Sequence, residues 1–332
     1  MIEATGLRKV YGAKTAVDGI SFTVQPGKVT GFLGPNGAGK STTMRMIMGL
    51  DRPTSGDVLV NGLHYSQHKA PLHQVGALLD AKAVHTSRSA YNHLRAMAAT
   101  HGIPNSRVDE VIEMTGLTAV AKKKAGGFSL GMGQRLGIAN ALLGDPQTLI
   151  LDEPVNGLDP EGVQWVRNLA RYLAGQGKTV FISSHLMSEM AQTADHLIVI
   201  GRGKIIADTS VDALIESQSR KRTLVRTSET TRLSELLARD GVRVEQNERE
   251  TLEIYGVDPI RIAEVALDNR VLVYELTPLT SSLEEAYFQL TKDEVEYHSH
   301  ITGGPAGPGY PPSGGPAGTG PASAATMEGI QS

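Results

Sequence analysis

One glycine-rich stretch has the residue types and the spacing of a phosphate-binding loop. Residues Gly34–Ser41 read Gly-Pro-Asn-Gly-Ala-Gly-Lys-Ser and fit the pattern G-x-x-x-x-G-K-[ST]. In such a loop the glycines let several backbone N–H groups point into one concavity, the lysine adds positive charge, and the final hydroxyl can bind Mg²⁺. We therefore predict a phosphate site here, with a chance glycine-rich turn as the alternative. Its residues are Gly34, Pro35, Asn36, Gly37, Ala38, Gly39, Lys40, Ser41 and Thr42.

The elements on either side of this loop, called the P-loop below, suit the same chemistry. The apolar, β-rich run Lys28–Leu33 precedes it and predicts a strand. Residues Thr42–Met46 follow it and predict a helix, whose N-terminal dipole attracts anions. The strand–loop–helix context that the pattern requires is therefore present.

A second stretch supplies acidic groups. Residues Thr148–Glu153 predict an apolar strand that ends in two carboxylates, Asp152 and Glu153. An aspartate in this place beside a P-loop can hold Mg²⁺, and a glutamate one residue later can act as the general base for an attacking water. A solvated acidic turn after a buried strand is the alternative for these two residues considered alone.

These motifs together resemble those of the ATP-binding cassette (ABC) ATPases, over residues 2–215. The stretch Phe128–Arg135 is similar to the signature of that family, with Ser129 and Gly131 in the positions that bind the γ-phosphate held by a second subunit. Leu130 and Met132 replace family residues, a variant similar to that of exporter ATPases of the daunorubicin-resistance type. The resemblance thus implies a head-to-tail homodimer, with Asp159 in the loop that crosses its interface.

Three further residues take roles from the same resemblance. His185 follows a predicted strand, as the switch histidine of the family does, and Tyr11 lies where the family stacks an aromatic ring on adenine. Asp80 stands where the family has a glutamine that contacts the metal ion. The resemblance implies Mg²⁺ bound by Ser41, Asp152 and Asp80; for Asp80 a surface-turn aspartate is the alternative. Glu153, His185 and Lys40 are then the predicted catalytic residues.

Composition limits where the protein works. The chain has 332 residues, a net charge of −3 and no cysteine, so nothing in it favours nucleic acid as a partner or a disulfide framework. No apolar run approaches the roughly 18–20 residues that span a bilayer, and the N-terminus lacks the pattern of a signal peptide. We expect a peripheral protein on the cytoplasmic face of the cell membrane, working with a separate membrane permease.

The predicted architecture is an α/β P-loop fold followed by a smaller unit and a tail. Residues 1–215 form the ABC ATPase domain, with an antiparallel β subdomain, a parallel-sheet core and a helical subdomain at about 81–143 that in the family contacts the membrane partner. Residues 222–292 predict a β-α-β-β-α-β order, typical of a ferredoxin-like α+β unit, which is either regulatory or dimer-supporting, or a passive cap. Residues 302–332 are rich in glycine and proline and predict disorder.

The predicted function is that of the ATP-hydrolysing subunit of an ABC transporter that exports a drug-, antibiotic- or lipid-like substrate. One alternative is a soluble ABC ATPase that acts on ribosomes or DNA. Its ribosome-acting relatives usually carry two cassettes in one chain, whereas this chain has one P-loop. Another alternative is a nucleotide-binding regulator without turnover, which the presence of Glu153 and His185 disfavours.

Overall fold

The computed structural model describes residues 1–81, 83–218, 222–239, 241–247, 251–279 and 282–291, so the predicted disordered tail at 302–332 lies outside it. The strands are β1 (Ile2–Tyr11), β2 (Lys14–Val24), β3 (Val29–Leu33), β4 (Ser55–Val60), β5 (Val75–Leu78), β6 (Thr148–Asp152), β7 (Thr179–Ser184), β8 (His196–Gly201), β9 (Lys204–Ser210), β10 (Arg222–Thr227), β11 (Arg243–Asn247), β12 (Thr251–Tyr255) and β13 (Val273–Leu279). The α-helices are α1 (Lys40–Ile47), α2 (Pro71–Gln74), α3 (Ala90–Ala99), α4 (Asn105–Met114), α5 (Leu130–Leu142), α6 (Pro160–Gly175), α7 (Met187–Thr193), α8 (Val211–Gln218), α9 (Thr230–Arg239), α10 (Pro259–Asp268) and α11 (Leu283–Thr291).

A six-stranded sheet forms the centre of the molecule, in the order β5-β6-β7-β3-β8-β9. Neighbouring strands are parallel from β5 to β8, and β9 is antiparallel to β8. Every residue of β3 and of β7 is buried, as expected for parallel strands covered on both faces. Because parallel strands end at one edge, the segments that follow β3, β5, β6 and β7 meet there.

A second, antiparallel sheet of order β2-β1-β4 packs against the central one. Three phenylalanines join the two sheets: the rings of Phe22, Phe32 and Phe181 have their centroids 5.2–5.9 Å apart. Burial of these aromatic rings contributes both hydrophobic area and favourable ring geometry. This is the antiparallel subdomain that the sequence predicts, and the parallel-sheet core beside it is confirmed as well.

Helices α3, α4 and α5 form the predicted helical part of the fold. The tryptophan of the chain, Trp165 on α6, joins it to the core: its indole N–H donates to Met114 O at 3.1 Å, at the end of α4. The Arg135 guanidinium of α5 lies 4.6 Å from the centre of the Trp165 ring, within cation–π range. Among the described residues, no helix has both the length and the apolar character needed to cross a bilayer.

The C-terminal strands form a separate four-stranded antiparallel sheet, in the order β11-β12-β10-β13. Helices α9 and α10 contribute Leu233, Leu237 and Ile262 to a hydrophobic cluster with Val225 and Ile254 of the sheet. Element order and strand order agree with the predicted ferredoxin-like pattern, so the predicted fold class is confirmed.

The last helix departs from this small unit. Leu283 and Ala286 of α11 are buried in the large hydrophobic cluster that includes residues of the central sheet, and α11 lies against α7 and α8. Glu285 of the same helix accepts a hydrogen bond from Arg222 of β10 at 2.8 Å. The predicted unit at 222–292 thus contains a helix that packs with the core, and its limits stay a prediction.

We predict that Leu283→Ala lowers the free energy of unfolding by about 2–5 kcal/mol, because it leaves a cavity in this large hydrophobic cluster. Phe288→Ala, on the same helix, is the matched control, since its side chain is 61% exposed. Denaturant unfolding of the full chain measures both variants. An equal, small effect of the two substitutions would contradict the packing of α11 into the core.

Candidate active site

The P-loop connects β3 to α1 and depends on two glycines that allow no side chain. Gly39 is the N-cap of α1 and has a φ of +113°, and a Cβ on it would lie 2.6 Å from Ala16 O. A Cβ on Gly34 would collide with Ile200 O. The glycines therefore let the loop curl between β2 and β8, with the N-terminus of α1 at its end.

Lys40 is a buried cation held by the loop itself. Its side chain is 6% exposed, and the Nζ atom donates to Gly34 O at 2.6 Å and to Pro35 O at 3.3 Å. Nζ also lies 3.6 Å from Oε1 of Glu153. Burial lowers the pKa of Lys40, whereas the negative charges of Glu153 and Asp152 act in the opposite direction. The ammonium group is thus fixed where it can meet an anion.

Asp152 and Glu153 come to the P-loop through the pairing of β6 with β7. Asp152 lies opposite Ser183 in this register, and the Ser183 hydroxyl donates to Asp152 Oδ1. The same hydroxyl accepts the N–H of Glu153 at 3.0 Å. The structure therefore brings both predicted acidic residues to the carboxyl edge of the sheet, beside Lys40.

His185 follows β7 and meets the same carboxylate. Its Nδ1 atom lies 2.8 Å from Oε2 of Glu153, while Oε1 of Glu153 faces Lys40. The histidine side chain is 41% exposed, whereas that of Glu153 is 19% exposed. The three predicted catalytic residues are therefore adjacent, with the Glu153 carboxylate between the other two.

An open cleft of about 350 Å³ lies over the P-loop. Its lining residues come from the P-loop, the β1–β2 hairpin and the end of β6: Tyr11, Lys14, Ala16, Pro35, Asn36, Gly37, Gly39, Lys40, Ser41, Thr42 and Glu153. Tyr11 is 47% exposed, and its hydroxyl donates to Asp51 at 2.9 Å. Partial desolvation and the bond to Asp51 raise the pKa of Tyr11. An exposed ring is thus anchored at the rim of the cleft.

The remaining predicted contacts to nucleotide form a second group. Ser129 is the N-cap of α5 and accepts the N–H of Met132 at 3.2 Å; Asp159 caps α6 by accepting the N–H of Gly162 at 2.8 Å. Gly131 packs closely on the loop before α6, since a Cβ on it would lie 3.1 Å from Gly157 O. Ser129, Gly131 and Asp159 are not among the residues that line the cleft.

The predicted metal ligands fit Mg²⁺ by their chemistry. Hydroxyl and carboxylate oxygens are the donors that Mg²⁺ prefers, and it usually keeps several waters. Ser41 lines the cleft, and Asp152 gives one oxygen to Ser183 and has a second. Asp80 is exposed two residues beyond the end of β5, which pairs in parallel with β6. Among the described residues there is no cluster of three His, Cys, Asp or Glu side chains.

Two residues at this site went unrecognised in the sequence. Ser183 lies two residues before His185, and Gln134 lies within the signature-like stretch Phe128–Arg135, but the sequence alone gives neither side chain a role. Gln134 is 5% exposed, and its Nε2 atom donates to Glu153 O at 3.2 Å and to Asn156 O at 3.3 Å. Neither residue carries charge or stands in the P-loop, so only tertiary contact reveals them.

Comparison with known sequences places these motifs in a family. A profile described as "ABC transporter" matches residues 17–156, and one described as a domain of unknown function (DUF8746) matches residues 221–284. The bacitracin transport ATP-binding protein BcrA of Bacillus licheniformis is 43% identical over 217 residues, 64% of this chain and 71% of BcrA. The ABC transporter ATP-binding protein YhcH of Bacillus subtilis is 34% identical over 90% of this chain and 99% of its own.

A third relative and two solved structures agree with this. The lantibiotic transport ATP-binding protein SrtF of Streptococcus pyogenes is 37% identical over 64% of this chain and 92% of its own. The solved structure of cbiO1 from Clostridium perfringens, part of an ABC transporter complex, covers 72% of this chain and 96% of its own at 26% identity, with a TM-score of 0.57. An ATP-binding subunit of an ABC transporter shares the fold, with 24% identity over 65% of this chain and 92% of its own and a TM-score of 0.60.

We predict that Gly39→Ala abolishes nucleotide binding. The new Cβ would clash with Ala16 O, and residue 39 would need a positive φ that alanine rarely adopts. Gly27→Ala is the matched control: Gly27 also has a positive φ, +75°, but a Cβ there meets nothing within 4 Å. The control should cost only about 1–2 kcal/mol of folding stability. Nucleotide titration and thermal unfolding measure both variants; normal binding by Gly39→Ala would contradict the geometry of the loop.

Proposed function

Because this chain belongs to the family of ABC transporter ATP-binding proteins and is an ATPase of that fold, we propose that it powers export of an antibiotic-like substrate through a separate membrane permease. The observation that carries the proposal is the adjacency of Lys40, Glu153 and His185 beside the P-loop cleft. The substrate class rests on the names of relatives, which transport bacitracin or a lantibiotic. Lipid-like substrates fit the same resemblance.

ATP lies in the P-loop cleft in this proposal. Backbone N–H groups of the loop and the N-terminus of α1 hold the β-phosphate, and Lys40 transfers its interaction from loop carbonyls to β- and γ-phosphate oxygens. The adenine ring stacks on Tyr11, whose ring is exposed at the rim of the cleft. Desolvation of the Lys40 ammonium group supports this role, since a buried cation gains from an anionic partner.

Hydrolysis follows from the position of the Glu153 carboxylate. It orients a water molecule and accepts its proton as the water oxygen attacks the γ-phosphorus, and the bond from that phosphorus to the bridging oxygen breaks to leave ADP. His185, which contacts Glu153 in the structure, binds the γ-phosphate of ATP before hydrolysis. When hydrolysis removes this contact, the change is passed on to α7, the helix that follows His185. Ser41 and Asp152, with Asp80, would hold Mg²⁺, which neutralises charge on the transferred phosphoryl group when bound.

We also propose a head-to-tail homodimer. Ser129 and Gly131 do not line the cleft of their own chain, so a role in phosphate binding requires the cleft of a second copy. Asp159 would then stand at the interface between the copies. ATP would clamp the two together, and hydrolysis would let them part.

The permease, in this proposal, docks on the helical part of the fold. A groove of about 870 Å³ lies between α3, α4 and the segment before the signature, and is lined by Ser89, Tyr91, Asn92, Asp109, Ile112, Glu113, Thr118, Ala121 and Lys122. The groove has an apolar floor and a charged rim, so it suits an amphipathic segment of another polypeptide. Such docking would hold the ATPase at the cytoplasmic face of the cell membrane.

The role of residues 222–292 is part of the proposal as well. Since α11 packs on α7, which follows His185, the C-terminal unit has a direct contact with the switch element. This contact favours a regulatory or dimer-supporting unit over a passive cap.

We predict that Glu153→Gln lowers ATP turnover by about 10²–10⁴-fold, because the amide cannot accept a proton. ATP binding should persist, and the variant should accumulate as a closed dimer in ATP. Lys40→Ala is the contrasting variant, since it should weaken ATP binding itself. Steady-state turnover, ATP titration and size-exclusion chromatography separate the two; retained turnover in Glu153→Gln would contradict the role of Glu153.

We predict that the double charge reversal Asp109→Lys with Glu113→Lys disrupts permease capture but leaves ATPase activity of the isolated chain within about twofold. The control reverses two exposed charges elsewhere, Glu216→Lys with Glu235→Lys. Tagged full-length protein is recovered from detergent-solubilised membranes, and bound partners are identified by mass spectrometry. Recovery of ribosomes or DNA in place of a membrane-spanning protein would favour the soluble alternative.

A further inference from the structure

Glu153 has an unusual backbone conformation. Its φ is +49°, in the left-handed region that residues other than glycine rarely adopt. This conformation costs about 1–3 kcal/mol and persists only where surrounding contacts impose it. Two side chains form hydrogen bonds with the backbone of Glu153, one with its N–H group and one with its carbonyl oxygen.

The first of these groups is the Ser183 hydroxyl, which holds the amide side of Glu153. Ser183 is fully buried, and its Oγ atom accepts the Glu153 N–H at 3.0 Å while donating its own proton to Asp152 Oδ1. The Ser183 hydroxyl thus donates its one proton to Asp152 and accepts the N–H of Glu153 with a lone pair. One side chain thereby fixes the two acidic residues relative to each other.

The second group is the Gln134 amide, which holds the carbonyl side. Its Nε2 atom donates to both Glu153 O and Asn156 O, and among the described residues its buried Oε1 atom has no hydrogen-bond partner. A flipped amide would place Oε1 against two carbonyl oxygens, so the amide orientation is determined by these contacts. Gln134 lies on α5, the helix that Ser129 caps.

We propose that Ser183 and Gln134 are positioning residues that hold the Glu153 backbone from its two sides and so aim the carboxylate between Lys40 and His185. This inference rests on the proposed role of Glu153 as general base. Because Gln134 lies on α5 and Ser129 caps that helix, Gln134 also connects the surface proposed for a second copy to Glu153, the proposed general base of its own chain. Neither residue touches the cleft itself.

The test uses the full chain with Gln134→Met, which keeps the length of the side chain and removes its donors, and with Ser183→Ala. We expect kcat to fall about 10-fold or more, since a displacement of about 1 Å at a catalytic group can cost 10²-fold. The dissociation constant for ATP should stay near that of the wild type. Gln164→Met, an exposed glutamine on α6, is the matched control and should leave both constants unchanged.

A double-mutant cycle separates positioning from general damage. In a Glu153→Gln background, single-turnover hydrolysis should show no further loss from Gln134→Met, because both residues act through the Glu153 carboxylate. Ser183→Ala also removes a hydrogen bond to Asp152, so the cycle uses Gln134→Met alone. Unchanged kcat in both single variants, or a parallel loss of ATP binding and thermal stability, would overturn the inference. If Glu153→Gln itself retained turnover, the proposed function of Glu153 would fail instead.

Discussion

Burial of the Lys40 ammonium group is the constraint on which the site depends. A cation that is 6% exposed needs compensating partners, because the charged form loses its hydration. Loop carbonyls and the Glu153 carboxylate provide them, and each requires a particular piece of the fold: the curled P-loop between β3 and α1, and β6 two strands away. Phosphate oxygens carry charge and would be stronger hydrogen-bond partners for this cation than the loop carbonyls.

The central sheet brings together segments of the site that are far apart in the sequence. More than 100 residues separate Lys40 from Asp152 in sequence, yet the parallel strands β3, β7 and β6 end at one edge. Glu153 directly follows β6, and Asp152 at the end of β6 lies opposite Ser183 of β7. A one-residue slip of β6 would move Asp152 away from Ser183 and turn both acidic side chains to the opposite faces, so the chemistry of the site depends on this register.

The sequence allowed prediction of the parts whose chemistry is local. The P-loop, the acidic pair at the end of β6 and the β-α-β-β-α-β element order of the C-terminal unit could be predicted from spacing and apolar runs, and the ABC ATPase fold is confirmed. The roles of Gln134 and Ser183 and the packing of α11 on the core could not be predicted. An uncharged polar residue or a short amphipathic helix can pack equally well at many places in a fold. Roles for Tyr11, Asp80, Ser129 and Asp159 stay predictions because they need nucleotide, metal or a second copy.

The contacts of Trp165 have a consequence for observing this protein at work. Its indole ring bridges α6 to the end of α4 and to Arg135 of α5, and the chain contains one tryptophan. Indole emission is sensitive to a nearby guanidinium group and to hydrogen bonding of its N–H. Any rotation of the helical part away from the core would change both surroundings at once. Intrinsic fluorescence can therefore time that movement in unlabelled protein.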